Sequence, residues 1–257
     1  MRYFIVTDIH GFYTILMKTL TEAGFFDCEV PHKLVILGDY FDRGKEAREM
    51  QEFLMKLLEE DRVILIRGNH EDLMMDMLED FYEIRFDILH GLSHHARNRT
   101  FDTALQLTGF GKEEAVRASG AFLYNIKHTP FVRTIIPQSV NYYETEHYVF
   151  THGYLPSYEI GQKHTILPNW RDATEREWYR AKWLNGMKVA CIDHSILPDK
   201  TIVCGHFHTS YGHSVINKNG KEFDTDAIFD PFYAEGIIAL DACTAHSGKM
   251  NCIVIDD

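Results

Sequence analysis

The sequence has no apolar run long enough to cross a membrane. Its longest aliphatic stretches, such as Val63-Ile64-Leu65-Ile66, fall far short of the roughly 18 residues a span requires. Its start, Met1-Arg2-Tyr3-Phe4-Ile5-Val6-Thr7-Asp8, reads as a strand and lacks the extended apolar stretch of a secretory leader. Cysteine is scarce. The five are Cys28, Cys191, Cys204, Cys243 and Cys252, and none forms a C-x-x-C pair. An odd count in a chain of 257 residues argues against a disulfide framework and for a reducing, cytoplasmic setting. Positive charge is also short: 26 Lys and Arg against 38 Asp and Glu leave a net charge of −12. General nucleic-acid binding needs basic faces to displace counterions, so that class is not expected. There is no linker, repeat or biased tract. With 45% hydrophobic and 25% charged residues, the chain can bury a sizeable core and is neither disordered nor fibrous. Histidine is the exception to this scarcity: there are 15, and imidazole is the commonest metal ligand.

Seven short apolar runs read as buried strands: Tyr3–Asp8, Leu34–Asp39, Val63–Asn69, Tyr148–His152, Ile202–His206, Ile237–Asp241 and Asn251–Asp256. Met50, Phe53, Leu54, Leu57 and Leu58 recur at helical spacing between the second and third runs, and Ile15, Leu16, Leu20 and Ala23 do so between the first and second. Strand–helix alternation of this kind predicts right-handed βαβ units and a partly parallel sheet. Residues 72 to about 140 break the rhythm, with helical patterns at Leu73–Ile88, Phe101–Leu107 and Glu113–Ile126. This stretch reads as a helical insertion within one domain spanning residues 1–257. The strands after residue 147 are expected to be antiparallel, with Ala239–Cys243 and Cys252–Ile255 forming a hairpin. The stripe Met74, Met75, Met77 reads as core filling. Asp241 reads as structural, and His94, His95, His213 and His246 as surface or loop positions, with His213 alone near enough to the fifth cluster below to approach it.

Five polar clusters sit at strand ends. Asp8-Ile9-His10 places two ligand types on one side of a strand end. In Gly38-Asp39-Tyr40-Phe41-Asp42-Arg43-Gly44, two glycines bracket two carboxylates and a guanidinium: a tight turn in which Asp39 can bridge cations and Arg43 can fork onto a phosphate. Arg67-Gly68-Asn69-His70-Glu71 offers an oxygen ligand and an adjacent imidazole, or equally a helix cap at Asn69 or Glu71. Thr151-His152-Gly153 reads either as a core histidine or as a ligand. Gly205-His206-Phe207-His208 puts two imidazoles on one side of an extended segment. Together these supply nitrogen and oxygen donors without thiolate, which suits manganese, iron, zinc or cobalt. They exceed what one tetrahedral ion needs, so two divalent ions around a shared carboxylate are expected.

The order D-x-H, G-D-x-x-D-R-G, G-N-H-E, H-G, G-H-x-H resembles the calcineurin-like metallophosphoesterases over residues 8–208. The second and third motifs are most similar to the phosphoprotein phosphatase branch, which includes bacterial serine/threonine phosphatases and symmetrical diadenosine tetraphosphatases. The resemblance implies an α/β fold, a four-layer α-β-β-α sandwich with two mixed sheets. It implies Asp8, His10 and Asp39 at a first metal, with His208 added by analogy to the wider superfamily, and Asp39, Asn69, His152 and His206 at a second. It implies His70 as general acid, Asp42 as the carboxylate orienting it, and Arg43 and Arg67 on the phosphate. A further arginine downstream of H-G falls among Arg171, Arg176 and Arg180, and Arg180 is taken. The family's aromatic groove segment has no clear counterpart around Leu240-Asp241-Ala242-Cys243. The implied reaction is direct attack of a metal-bridging hydroxide on a phosphate monoester, manganese being the ion expected to restore activity best. The expected substrate is phosphoprotein. The alternatives are a diadenosine tetraphosphatase or other nucleotide phosphoanhydride hydrolase, and an inactive metal-binding scaffold.

Overall fold

A computed structural model describes residues 1–257. Strands β1 (Arg2–Val6), β2 (His32–Ile36) and β3 (Val63–Leu65) lie parallel in sequence order, joined by helices α1 (Tyr13–Glu22) and α2 (Ala47–Glu59). Helix α2 buries Met50, Phe53, Leu54 and Leu57, the face its spacing predicts. The insertion follows as α3 (Asn69–Leu89), α4 (His94–Arg97), α5 (Thr100–Thr108), α6 (Lys112–Arg117) and α7 (Ser119–Lys127), then a π-helical turn Phe131–Ile135 and α8 (Ile136–Gln138). The pattern read as one helix over Glu113–Ile126 is two, broken at Ala118, just before Ser119-Gly120, a pair of weak helix formers. Met74 and Met77 are buried as core, and Met75 is half-buried.

The second half contributes β4 (Tyr142–Glu144), β5 (Tyr148–Thr151), the separate hairpin β6 (Ser157–Ile160) and β7 (Lys163–Ile166), α9 (Glu175–Ala181), β8 (Thr201–Cys204), β9 (Phe232–Ala234), β10 (Ile237–Ala239) and β11 (Ile253–Asp256). Two sheets result, ordered β11-β1-β2-β3 and β4-β5-β8-β10-β9, each of mixed direction. Alternate residues of one strand enter different apolar layers. In β1, Phe4 and Val6 face the helices while Tyr3 and Ile5 face the other sheet; in β5, Phe150 faces the partner sheet and Val149 the outer layer. Strands buried on both faces read as unbroken apolar runs, which is why they stand out in the sequence. Helices and loops cover both outer faces, which completes the four-layer α-β-β-α arrangement. No helix is long and apolar enough to cross a membrane.

Three expectations need correction. β5, β8 and β10 run parallel to one another, and only the edge strands β4 and β9 are antiparallel in that sheet. The C-terminal runs do not form a hairpin: β10 joins β8, whereas β11 crosses to the first sheet and pairs with β1. His95 is buried, not superficial, and its Nδ1 has no partner.

Candidate metal centre

Loops leaving the C-terminal ends of β1, β2, β3, β5 and β8 converge at one edge of the two sheets. Their geometry is unusual for L-residues. Asp8 (φ +48°), His10 (+52°), Asp39 (+53°), Asp42 (+71°), Arg43 (+58°) and His206 (+64°) all occupy the left-handed region. Each such residue costs about 1–3 kcal/mol unless its surroundings fix it. Those surroundings are close backbone approaches. A Cβ at Gly205 would lie 1.8 Å from Thr7 Oγ1, and one at Gly68 2.2 Å from Asp39 Oδ1.

Asp39 divides its carboxylate between two groups of donors. Oδ2 lies 3.7 Å from His10 Nε2 and 3.8 Å from His70 Nε2, while Oδ1 lies 3.4 Å from His152 Nε2. His10, Asp39 and His70 form one cluster with ligand atoms within 4.8 Å of one another, and Asp39, His152 and His206 form a second. Asp8 Oδ1 is 3.9 Å from His10 Nε2, and Asn69 Oδ1 is 2.8 Å from His152 Nε2. The other ring nitrogens are committed: His10 Nδ1 to the Phe41 carbonyl at 3.1 Å and His152 Nδ1 to the Leu37 carbonyl at 2.6 Å. Donating from Nδ1 leaves Nε2 with its lone pair free for a metal.

The electrostatics fit cations. Asp8 and Asp39 are buried, and their only ion-pair partners are histidines. Burial raises the Asp8 carboxyl above its usual range. Burial also works against the Asp39 carboxylate, but the neighbouring histidines, His152 and His70 foremost, outweigh it and hold that group low. Burial and the charge of Arg43 depress His10, and burial with His152 lowers His206 to about 3. Both imidazoles are therefore neutral, the ligand form. Buried carboxylates beside neutral imidazoles, sharing one bridging carboxylate, suit two divalent ions.

Beside this centre His70 Nδ1 lies 2.6 Å from Asp42 Oδ2, both side chains nearly inaccessible to solvent. Burial disfavours the charged ring, but Asp39 and Asp42 more than compensate and raise His70 to about 9. Arg43 is exposed, with Nη2 3.4 Å from His70 Nε2. Arg67 is placed differently from Arg43. Its Nε lies 2.6 Å from Asp72 Oδ1, and the other Asp72 oxygen lies 2.5 Å from the buried Lys182.

Not every sequence candidate joins the cluster. His208 Nε2 pairs with Glu222 at 3.2 Å and its ring abuts Phe223, so it enters neither ligand group. Arg180 is exposed on α9 without an ion pair, and Arg171 pairs with Glu144, the last residue of β4. His213 Nε2 binds the Asp230 carbonyl instead of approaching the centre. Asp241 is buried and accepts from the Cys243 amide at 2.7 Å.

Sequence reasoning missed the residues that brace the loops. Glu71 does cap α3, as read, by accepting the Gly68 N–H at 2.8 Å, but it also accepts the N–H groups of Asp39 and Tyr40 at 3.0 Å, which the sequence did not show. Thr100 and Thr103 of α5 donate to Asp42, and only their three-residue spacing hinted at a shared face. Trp170 and Trp178 are core residues, whereas Trp183 is half-exposed, its ring centroid 5.8 Å from that of His206.

Comparison with known proteins agrees with this architecture. A solved structure described as a candidate diadenosine tetraphosphatase superposes with a TM-score of 0.51 at 14% identity, over 99% of this chain and 89% of that one. A cold-active protein tyrosine phosphatase from a psychrophilic Shewanella species superposes with a TM-score of 0.53 at 17% identity, over 100% of this chain and 75% of that one. At such identities the likeness speaks for the fold alone. Residues 1–229, which contain every cluster above, match the calcineurin-like phosphoesterase family. The chain therefore belongs to the calcineurin-like phosphoesterases and is a phosphatase-type hydrolase of a metal-dependent family.

Proposed function

We propose that this phosphoesterase hydrolyses phosphate monoesters on protein side chains, in the manner of a serine/threonine phosphatase. The observation that carries the reading is the buried His70–Asp42 pair at 2.6 Å, set beside the carboxylate shared by two ligand groups. A seryl alkoxide is a poor leaving group and needs a proton, whereas the phosphate departing from an anhydride needs little help. A fixed proton donor is thus worth most on a monoester. Asp8, His10 and Asp39 would hold one ion, and Asp39, Asn69, His152 and His206 the other. When bound, such ions supply Lewis acidity, neutralising phosphoryl charge and acidifying water. His70 Nε2 donates to the departing oxygen while Asp42 fixes the ring. Arg43, beside His70, neutralises charge on the phosphoryl oxygens, and Arg67, anchored by Asp72, presents its remaining N–H groups to the same charge. Manganese is the ion proposed for reconstitution.

A second reading is nucleotide hydrolysis, the activity named for the candidate diadenosine tetraphosphatase that shares this fold. The test is one panel on manganese-supplied protein: phosphoserine, phosphothreonine and phosphotyrosine peptides, p-nitrophenyl phosphate, its bis ester, and diadenosine tetraphosphate. Phosphate release from the peptides should dominate. Cleavage of diadenosine tetraphosphate with all three peptides untouched would overturn the proposal in favour of the second reading.

A further inference from the structure

The helical insertion does more than pack beside the sheet. Helix α5 presents Thr100, Thr103 and Gln106 at three-residue spacing to the loop that carries Asp42 and Arg43. Thr103 Oγ1 accepts from the Asp42 backbone N–H at 2.9 Å and donates to Asp42 Oδ1 at 2.7 Å. Thr100 Oγ1 donates to Asp42 Oδ2, the oxygen that faces His70, at 2.8 Å. One turn on, Gln106 donates to the Gly44 carbonyl at 3.0 Å and accepts from the Ala47 N–H at 3.1 Å. Thr100 and Thr103 are 0% and 1% exposed and Asp42 3%, so bulk water is not at hand to replace either hydroxyl. A threonine inside a helix can return its hydroxyl to the carbonyl four residues back, as Thr108 does to Ala104. Thr100 and Thr103 spend theirs on Asp42 instead.

We infer that Thr100 and Thr103 are positioning residues for proton donation: they hold the Asp42 carboxylate, in its left-handed backbone, at the angle that orients His70. They touch no substrate. Their effect passes through Asp42 to His70, so it scales with how much the leaving group needs a proton. The inference rests on the reading of His70 as the proton donor, and the experiment separates the two.

Thr103→Val, Thr100→Val, Thr103→Ser and His70→Asn are compared with the unaltered protein on phenyl phosphate and on p-nitrophenyl phosphate, with bound manganese measured for each. Valine keeps the threonine shape and removes the hydroxyl. Thr103→Val should keep both ions and lose roughly tenfold or more in kcat on phenyl phosphate, with a several-fold smaller loss on p-nitrophenyl phosphate and little change in KM. Thr103→Ser should restore most of that difference, and Thr100→Val should show it in weaker form. Equal losses on the two substrates in both valine variants, while His70→Asn shows unequal losses, would overturn the positioning role and leave the His70 reading standing. Equal losses in His70→Asn itself would remove the reading beneath it. If Thr103→Val does not fold, Thr100→Val against Thr103→Ser decides by the same comparison.

Discussion

Asp39 shows how much one residue can be asked to do: its two oxygens face different imidazole groups. Asp39→Asn should therefore remove both manganese ions at once in metal analysis, whereas His208→Ala, whose ring faces Glu222, should leave both bound. Retention of both ions by Asp39→Asn would contradict the bridging role. Another residue-scale expectation concerns pH. His147 Nδ1 meets Asp257 Oδ1 at 2.5 Å, and this hydrogen bond raises the imidazole. On Asp257, burial favours protonation, but the hydrogen bonds from His147 and Thr145 together outweigh it, lowering the carboxyl to about 2. The raised histidine contributes stability that is complete below its unfolded value of about 6.5 and fades as pH climbs through the folded one. The lowered aspartate contributes above its unfolded value of about 3.9 and fades toward its folded one. His147→Ala should thus cost some stability near about pH 5 and almost none near about pH 9, as read by urea unfolding at both. A loss larger at the alkaline end would show the sign to be wrong. The candidate ligands were legible because polar metal-binding side chains stand where apolar strand runs end, in a fixed order of motifs. The left-handed backbone beneath them was not, because only the two glycines of a motif advertise tight turns, and Asp and His adopt that conformation less openly.

Among the elements, the apolar strands of the sheet interiors and the amphipathic α2 were legible from their hydrophobic pattern. β4, β6, β7 and β9 were not: they are edge or separate strands, largely open to solvent, and so lack an apolar run to read. Partners were also illegible: the runs before and after Ser247-Gly248 look like hairpin arms, yet each extends a different sheet, because side-chain pattern records burial and not neighbour. The insertion is held by an aromatic knot. Phe122 is 0% exposed, with ring centroids 5.0 Å from Phe81, 5.8 Å from Phe101 and 5.7 Å from Phe110. Phe122→Ala should cost about 3–5 kcal/mol in urea unfolding. A loss under about 1 kcal/mol would mean that the cavity collapses freely and that α5 is not held in place by this packing.

At the scale of the whole molecule, the proposed ligands come from both sheets: Asp8, His10, Asp39 and Asn69 from loops of the first, His152 and His206 from loops of the second. Two buried carboxylates without a Lys or Arg partner are a repulsive liability until cations arrive. Manganese added to chelator-treated protein at a hundredfold over its dissociation constant contributes about 2.7 kcal/mol per site, roughly 5–10 °C in Tm for a chain this size. A Tm indifferent to manganese would argue against a metal centre here. The pairing of β1 with β11 has a different consequence, one that belongs to synthesis. Arg2 stands opposite Asp256, so the strand that leads into Asp8 and His10 has one edge open until residues 253–256 leave the ribosome. At about 5–20 residues per second, that wait lasts roughly 12–50 s. During it the nascent chain displays an unpaired, apolar strand edge, the kind of surface that recruits other strands. The strand that feeds the binding loop gains its first neighbour from residues 32–36, and its second edge stays exposed until residues 253–256 arrive.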